Sequence, residues 1–361
     1  QEQVLTIARD LAGFTPGEGE LLRRALGHKR ADQKVEQLRA RFLAGAQARG
    51  VPPAVAHQVF AQLKAFGSYS FSKAHAAAFA VITYWSAWLR CYHPQAFFAG
   101  LLRHQPMGFY PTHVVVSDAQ RSGVKFLPVD LRCSQASVTL EGGAIRLGLD
   151  YVRGIGPQQI EVLVNERQRG SFTSLADLVK RTGLERHYVE RLVLAGALDY
   201  LGERRQLLWD LAEAYHLARR PAGLPLKISG EQVKLRPMDA PTRMASTFAA
   251  TGVSIEGHLT TLRRNMFMQA GARSIGELSR LKHGQAVRIG GLIVARQRPP
   301  TAKGVCFLAL EDVDGMVNVV VSPEVYARCR QAMHGAFVIV DGVVDKRQKA
   351  INVVARDILQ L

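Results

Sequence analysis

Apolar residues recur at helical spacing through most of the first 122 positions. The pattern predicts helices over Gln1–Ala12, Glu18–Leu26, Asp32–Ala48 and Pro53–Phe66. A nearly continuous apolar run from Ala76 to Leu89 follows, broken by Thr83, Tyr84 and Ser86. It is shorter than the roughly 20 residues a bilayer span needs and predicts a buried core helix. His93-Pro94 ends it, and Pro94 suits the first turn of the next helix, through Phe97, Phe98 and Leu101. The stretch Gln105–Pro111 then reads as a linker before a short helix ending near Arg121-Ser122-Gly123.

From Val124 the period turns strand-like. Val138–Glu141 and Ala144–Leu147 flank Gly142-Gly143, a two-residue hairpin signal. Helices resume near Pro157 and run to about Arg219, and residues 220–243, rich in Pro, Gly and charge, read as a linker. After a helical connector come five candidate strands: Ala286–Arg296, Val305–Glu311, Met316–Val321, Phe337–Val344 and Ile351–Ala355. A helix near Pro323–Met333 lies between the third and fourth, which is the order of an oligonucleotide-binding (OB) barrel. The expected fold is therefore multidomain: an α-helical region (1–122), a β-hairpin with tandem helical hairpins (123–219), a linker and helical connector (220–284) and an all-β OB-fold barrel (285–361).

The 361 residues carry a net charge of +17. Such an excess concentrates polyanions and makes nucleic acid the first partner to consider. No lipidation signal or basic amphipathic helix points to a membrane. Cys91, Cys133, Cys306 and Cys329 are scattered, without metal-ligand spacing or a secreted disulfide framework, and read as reduced thiols in the cytoplasm. The chain begins at Gln1, already inside a helical pattern, and reads as a piece of something longer or a mis-started frame.

Gly154-Ile155-Gly156 before a helix over Gln158–Glu166 is a glycine-bounded turn that aims main-chain N–H groups outward at a helix N-terminus. That chemistry suits a DNA phosphate read without regard to base. A weaker copy falls at Thr182-Gly183-Leu184, and together they read as a tandem helix-hairpin-helix. In the barrel, Arg296, Arg298 and Lys303 lie between the first two strands, and Lys346, Arg347 and Lys349 between the last two. In OB barrels these loops flank the face that takes single-stranded nucleic acid. Aromatics for stacking are few, namely Phe307, Tyr326 and Phe337.

Cations also gather at two helix ends, in Phe71-Ser72-Lys73-Ala74-His75 and in Leu21–Arg30, where unpaired amides favour an anion such as a triphosphate. Glu18 and Glu20 fall at the start of a helix, where carboxylates complement the dipole. Glu311-Asp312-Val313-Asp314-Gly315 reads as hairpin-turn chemistry rather than a metal site. No carboxylate pair for two magnesium ions, P-loop, nucleophile elbow or zinc constellation is legible, so no complete catalytic centre is expected here.

On Gln1–Val4, Leu22–Ala25, Phe71–Ala80 and Gly154–Gly156, and on its domain order, the chain resembles the C-terminal part of bacterial C-family DNA polymerases, the group of the replicative polymerase III alpha subunit. Gln105–Tyr110, Arg296–Pro299, Ala302–Val305 and Leu310–Asp312 are similar to the error-prone, damage-tolerant branch. The resemblance implies fingers, tandem hairpin and barrel modules of a DNA-directed DNA polymerase. It also implies that Arg23, Arg24, Lys73 and His75 contact the triphosphate of the incoming dNTP. The Mg2+-binding carboxylates of that family lie in a palm domain N-terminal to the fingers, so this stretch alone is expected to be inactive. The implied partners are primer-template DNA, dNTP, single-stranded DNA and damage-response accessory proteins. Ala74 stands where the family commonly has serine, and a clear sliding-clamp peptide is absent; Gln206–Trp209 matches one only loosely. The alternatives are a replicative alpha subunit and a non-enzymatic DNA-binding accessory protein of the same modules.

Overall fold

The computed structural model describes residues 2–27, 32–67, 72–108, 110–219, 233–347 and 350–361. Contacts divide the chain into two compact units, residues 1–89 and 90–361.

The first unit is helical. Its elements are α1 (Glu2–Ala12), α2 (Pro16–Gly27), α3 (Asp32–Ala48), α4 (Pro53–Gly67) and most of α5 (Lys73–Tyr92). One face of each of the first four helices is apolar, and these faces meet around Val4, Leu22, Phe42 and Phe60, all buried. The Phe42 ring lies 5.4 Å from that of Phe60 and 6.0 Å from that of Phe14. α2 starts with a reciprocal cap: the Thr15 amide donates to Glu18 at 2.8 Å, and the Glu18 amide donates to the Thr15 hydroxyl at 3.3 Å.

α5 departs from the expectation of a buried core helix. None of its residues is buried, and Phe79, Ile82, Tyr84, Trp85 and Trp88 are exposed. The run is apolar around its whole circumference, so composition marks it for burial. The packed stripes of α1 to α4, however, are satisfied by one another.

The second unit begins with α6 (Pro94–Arg103) and α7 (Thr112–Arg121), followed by strands β1 (Phe126–Leu127), β2 (Thr139–Glu141) and β3 (Ala144–Arg146). The strands form a sheet ordered β1-β3-β2, in which Gly142-Gly143 turns β2 into β3 with Glu141 opposite Ala144. Four helices follow: α8 (Pro157–Gln168), α9 (Leu175–Thr182), α10 (Arg186–Ala195) and α11 (Arg204–Ala218). Their apolar faces and the inner face of the sheet share a core through Leu131, Ile145, Leu149, Leu163, Leu178 and Leu192.

α12 (Ala240–Thr251) and α13 (Arg264–Gln269) form the connector. Pro241, read as linker from sequence, lies in the first turn of α12, where a missing N–H costs nothing; Asp239 caps that turn by accepting from the Thr242 amide at 2.8 Å.

The barrel closes from β4 (Ala286–Gln297), β5 (Cys306–Glu311), β6 (Met316–Val321), β7 (Phe337–Asp345) and β8 (Asn352–Gln360), in the order β4-β5-β6-β8-β7. α14 (Pro323–Cys329) runs between β6 and β7. β8 continues five residues past the Ala355 end read from sequence. The register explains the difference: Gly342 pairs Ala355 and Asp341 pairs Asp357, so Arg356 is an extra bulged residue. The bulge shifts the alternation by one and turns Ile358 into the core. Inward positions of the five strands, among them Ile289, Leu308, Val319, Val340 and Val353, fill the interior.

Candidate nucleic-acid and triphosphate interfaces

The first glycine turn sits on the surface of the second unit. Gly154 adopts φ +87, a region an L residue enters only with strain, and so turns the chain between Arg153 and α8. Ile155 is buried and pins the turn to the core. Gly156 is the N-cap of α8 in extended conformation, its amide donating to Gln159 Oε1 at 3.1 Å. Pro157 occupies the first turn, and the amides of Gln158 and Gln159 lie where a helix leaves its donors unpaired. Beside this turn runs α10. A methyl on Gly154 would stand 4.0 Å from the Arg191 side chain, so that exposed arginine lies against the first hairpin. The sequence reading missed Arg191. The spacing of the buried Val189, Leu192 and Val193 places it on the outer face of α10, but only the tertiary fold brings it to Gly154.

The second turn has different surroundings. Gly183 takes φ +63 as the left-handed C-cap of α9, its amide donating to the Val179 carbonyl at 2.9 Å. Leu184 is buried, and its carbonyl accepts from the Tyr215 hydroxyl at 2.6 Å. Burial pushes the Tyr215 phenol up to about 12. The N-cap of α10 is Glu185, an exposed carboxylate on the positions a phosphate would approach.

The barrel cations lie close to local partners, and Arg296, read from sequence as lying between the first two strands, is within β4 opposite Leu308. The Arg296 guanidinium donates to the Met333 carbonyl, and Arg298 stacks over the Tyr326 ring at 4.5 Å. Lys303 holds a left-handed φ of 48 in the same loop. Lys346 Nζ donates to the Ser279 carbonyl at 2.7 Å, and Arg347 pairs with Asp345 at 2.8 Å. That guanidinium holds the Asp345 carboxyl down to about 2. Lys349 lies outside the described residues. On the outer strand face, Phe307 is exposed opposite Val320, with Asn318 exposed nearby on β6. The β4–β5 half of that face is not open. Leu292, Val294 and Ala309 are buried against Val114 of α7 and Leu259 of the connector. The hairpin after β5 turns at Asp312, whose carboxylate accepts the amides of Ile275, Asp314 and Gly315 at 2.7, 2.8 and 3.1 Å.

In the first unit, Arg23 and Arg24 converge on one carboxylate. Glu20 accepts from Arg23 Nε at 2.7 Å and from Arg24 Nε at 2.9 Å, which lowers its pKa to about 2. With a folded pKa below its ordinary value, whatever this exposed pair adds to stability is complete above about pH 4.5 and is lost as pH falls towards 2. At the start of α5, the Lys73 amide donates to both Glu2 oxygens at 3.1 Å, and Arg23 also feels the Glu2 charge. Glu2, another residue the sequence reading missed, thus places a carboxylate where an anion would bind. His75 packs against Phe79 with ring centroids 4.4 Å apart. Phe71 and the His28-Lys29-Arg30 segment lie outside the described residues. Among the described residues, no group of three His, Cys, Asp or Glu side chains could hold a metal ion. No helix among them is long and apolar enough to cross a membrane.

Residues 1–50 match the finger domain of the bacterial DNA polymerase III alpha subunit, residues 123–208 a helix-hairpin-helix motif, and residues 280–361 an OB-fold nucleic acid binding domain. The chain is 40% identical over 368 residues to an error-prone DNA polymerase of Anaeromyxobacter sp. strain K, covering 98% of this chain and 32% of that protein. Error-prone DNA polymerases of Corynebacterium efficiens and Mycobacterium tuberculosis are likewise 40% identical over 98% of this chain and 33% of their own lengths. The chain therefore spans about a third of the length of the curated relatives it matches. Among solved structures, asparaginyl-tRNA synthetase from Pyrococcus horikoshii aligns over 22% of this chain and 19% of its own at 24% identity, with a TM-score of 0.19.

Proposed function

Because this chain belongs to the error-prone DNA polymerases related to the bacterial polymerase III alpha subunit, we propose that it holds DNA and the incoming nucleotide for such an enzyme. The parent reaction is template-directed transfer of a deoxynucleotide to a primer 3′-hydroxyl with pyrophosphate leaving, in cytoplasmic replication and damage-tolerant repair synthesis. The observation that carries the DNA-holding part is the first hairpin: a left-handed Gly154, the donors of the first turn of α8, and Arg191 alongside. Backbone donors and one cation read a phosphate without reading a base, which suits duplex of any sequence. The barrel loop carrying Arg298 and Lys303, with Phe307 exposed on the adjoining strand β5, suits weak single-strand contact.

Arg23, Arg24, Lys73 and His75 are assigned to the triphosphate. Two guanidinium forks and an ammonium neutralise charge that builds on the leaving pyrophosphate. In this reading Glu20 holds the two guanidinium groups, and Glu2 the Lys73 amide at the start of α5, until the nucleotide displaces them. Mg2+ would polarise the phosphates in the parent enzyme, held by the palm carboxylates that the family resemblance implies. Damage-response accessory proteins are the expected protein partners.

Titration of the 361-residue chain with duplex, primer-template and single-stranded DNA across a salt series tests the DNA reading. Duplex binding with a steep salt slope is expected. Binding no stronger than that of an unrelated protein of equal charge would sink it. In the full-length polymerase, Arg24→Ala or Lys73→Ala should raise the nucleotide KM or lower kcat by about tenfold. Unchanged kinetics would remove these residues from the triphosphate site.

A further inference from the structure

Residues 307, 309 and 311 share one side of β5, the outer side of the barrel. At Glu311 that outward position is completely buried, at 0% exposure. Oε1 accepts from Arg121 Nη1 of α7 at 2.8 Å, and Oε2 stands 3.4 Å from His258 Nε2 of the connector. His258 Nδ1 accepts the Thr260 amide at 3.2 Å, while its Nε2 and Glu311 Oε2 stand buried beside one another without a hydrogen bond. His113, also on α7, is held below its ordinary pKa by burial, against the opposing charge of Glu311. Gln120 ties α7 to the same connector by donating to the Ile255 carbonyl at 2.9 Å. Around these polar groups lies the apolar pad of Val114, Leu259, Leu292, Val294 and Ala309. A carboxylate taken out of water in this way is tolerated only while its cation stays in place, so Glu311 and Arg121 hold barrel and helices together as one joint.

We propose that Glu311 is a positioning residue: with Arg121 it locks the barrel onto the hairpin body and confines single-stranded DNA to the strip the joint leaves open, Phe307, Met316, Asn318 and Val320. The strip follows from the register. Phe307 faces Val320 across the ladder, Asn318 faces Ala309, and Met316 faces Glu311, so the open residues begin where the buried ones end. Phe307 offers one stacking platform, and Arg298 and Lys303 occupy the adjoining loop. The locked geometry sets a fixed angle between this strip and the Gly154 hairpin. The proposal rests on the DNA-binding reading above.

The test uses the 361-residue chain and a dT oligonucleotide. Glu311→Lys sets a cation against Arg121, and amide exchange in α7 and in the β4–β5 segments should accelerate at least about tenfold. The dT strand should then reach the uncovered face, so Phe307→Ala should weaken dT binding severalfold in the wild type and much less in Glu311→Lys. The swap Arg121→Glu with Glu311→Arg should restore slow exchange and the dependence on Phe307. If Glu311→Lys does not fold, Arg121→Gln removes the same contact from the more exposed side and is read in the same way. Unchanged exchange in these variants, or equal dependence on Phe307 with the joint intact and broken, would overturn the proposal. If the wild type binds no dT strand, the DNA reading of the barrel and the confinement both fall, while the exchange result still decides whether the joint exists.

Discussion

Gly154 and Gly183 both hold left-handed backbone and both lead into a helix, but they do different work. The first turn keeps its neutral helix start outward, with Gln158 and Gln159 in the first turn and Arg191 beside it. In the second, the glycine amide is spent on closing α9, Tyr215 holds the following carbonyl, and Glu185 puts negative charge at the head of α10. A glycine before a helix is thus only permission for a phosphate site. The charge and the spare donors around it decide whether a phosphate is welcome.

That contrast can be broken experimentally. Gly154→Val forces a β-branched residue to φ +87 and should cost roughly 1–2 kcal/mol of stability. Duplex affinity should fall by more than about tenfold at a temperature where denaturation curves show the chain folded. Arg191→Ala should weaken duplex binding several-fold and flatten the log K against log salt slope by about 1, with no change in melting behaviour. A slope that does not move would take Arg191 off the DNA. Gly183→Ala should lower the denaturation midpoint by an amount worth about 1 kcal/mol and leave duplex affinity as it was. A matching loss of affinity would make the two turns equivalent. The smallest effect is expected from Glu185→Gln, which removes a repelling charge and should tighten duplex binding by no more than about threefold. Weaker binding there would mean that the second turn approaches DNA through that carboxylate.

Elements that depend on local rules are legible in the amino-acid sequence. Gly142-Gly143 turns its hairpin in the expected place, and the five strands with an intervening helix close into the expected barrel. What escapes depends on distance in the chain. Glu311 looks like the shoulder of an Asp-Gly turn, but its partner Arg121 lies 190 residues away, and only that contact turns an outward strand position into a buried one. Arg356 looks like the end of a strand because a bulge resets the alternation there. α5 carries the composition of a core helix, but composition does not specify the covering surface, and its side chains stand exposed. Arg23, Arg24 and Lys73 are legible as cations. Glu20, three and four residues before the arginines, is within reach of local helix rules, but the contact of Glu2 with the start of α5 is made by the fold.

Closure of the barrel also bears on how molecules of this chain would stick to one another. With β7 returning to β4, the five strands have no open edge, so the barrel offers a neighbouring molecule no row of unpaired amides to extend. Much of the exposed apolar surface is instead on a helix, in the indoles of Trp85 and Trp88 and the ring of Phe79 on α5, whose backbone is already hydrogen-bonded to itself. Self-association through α5 would therefore run through side chains alone, without the cross-β order that makes fibrils permanent.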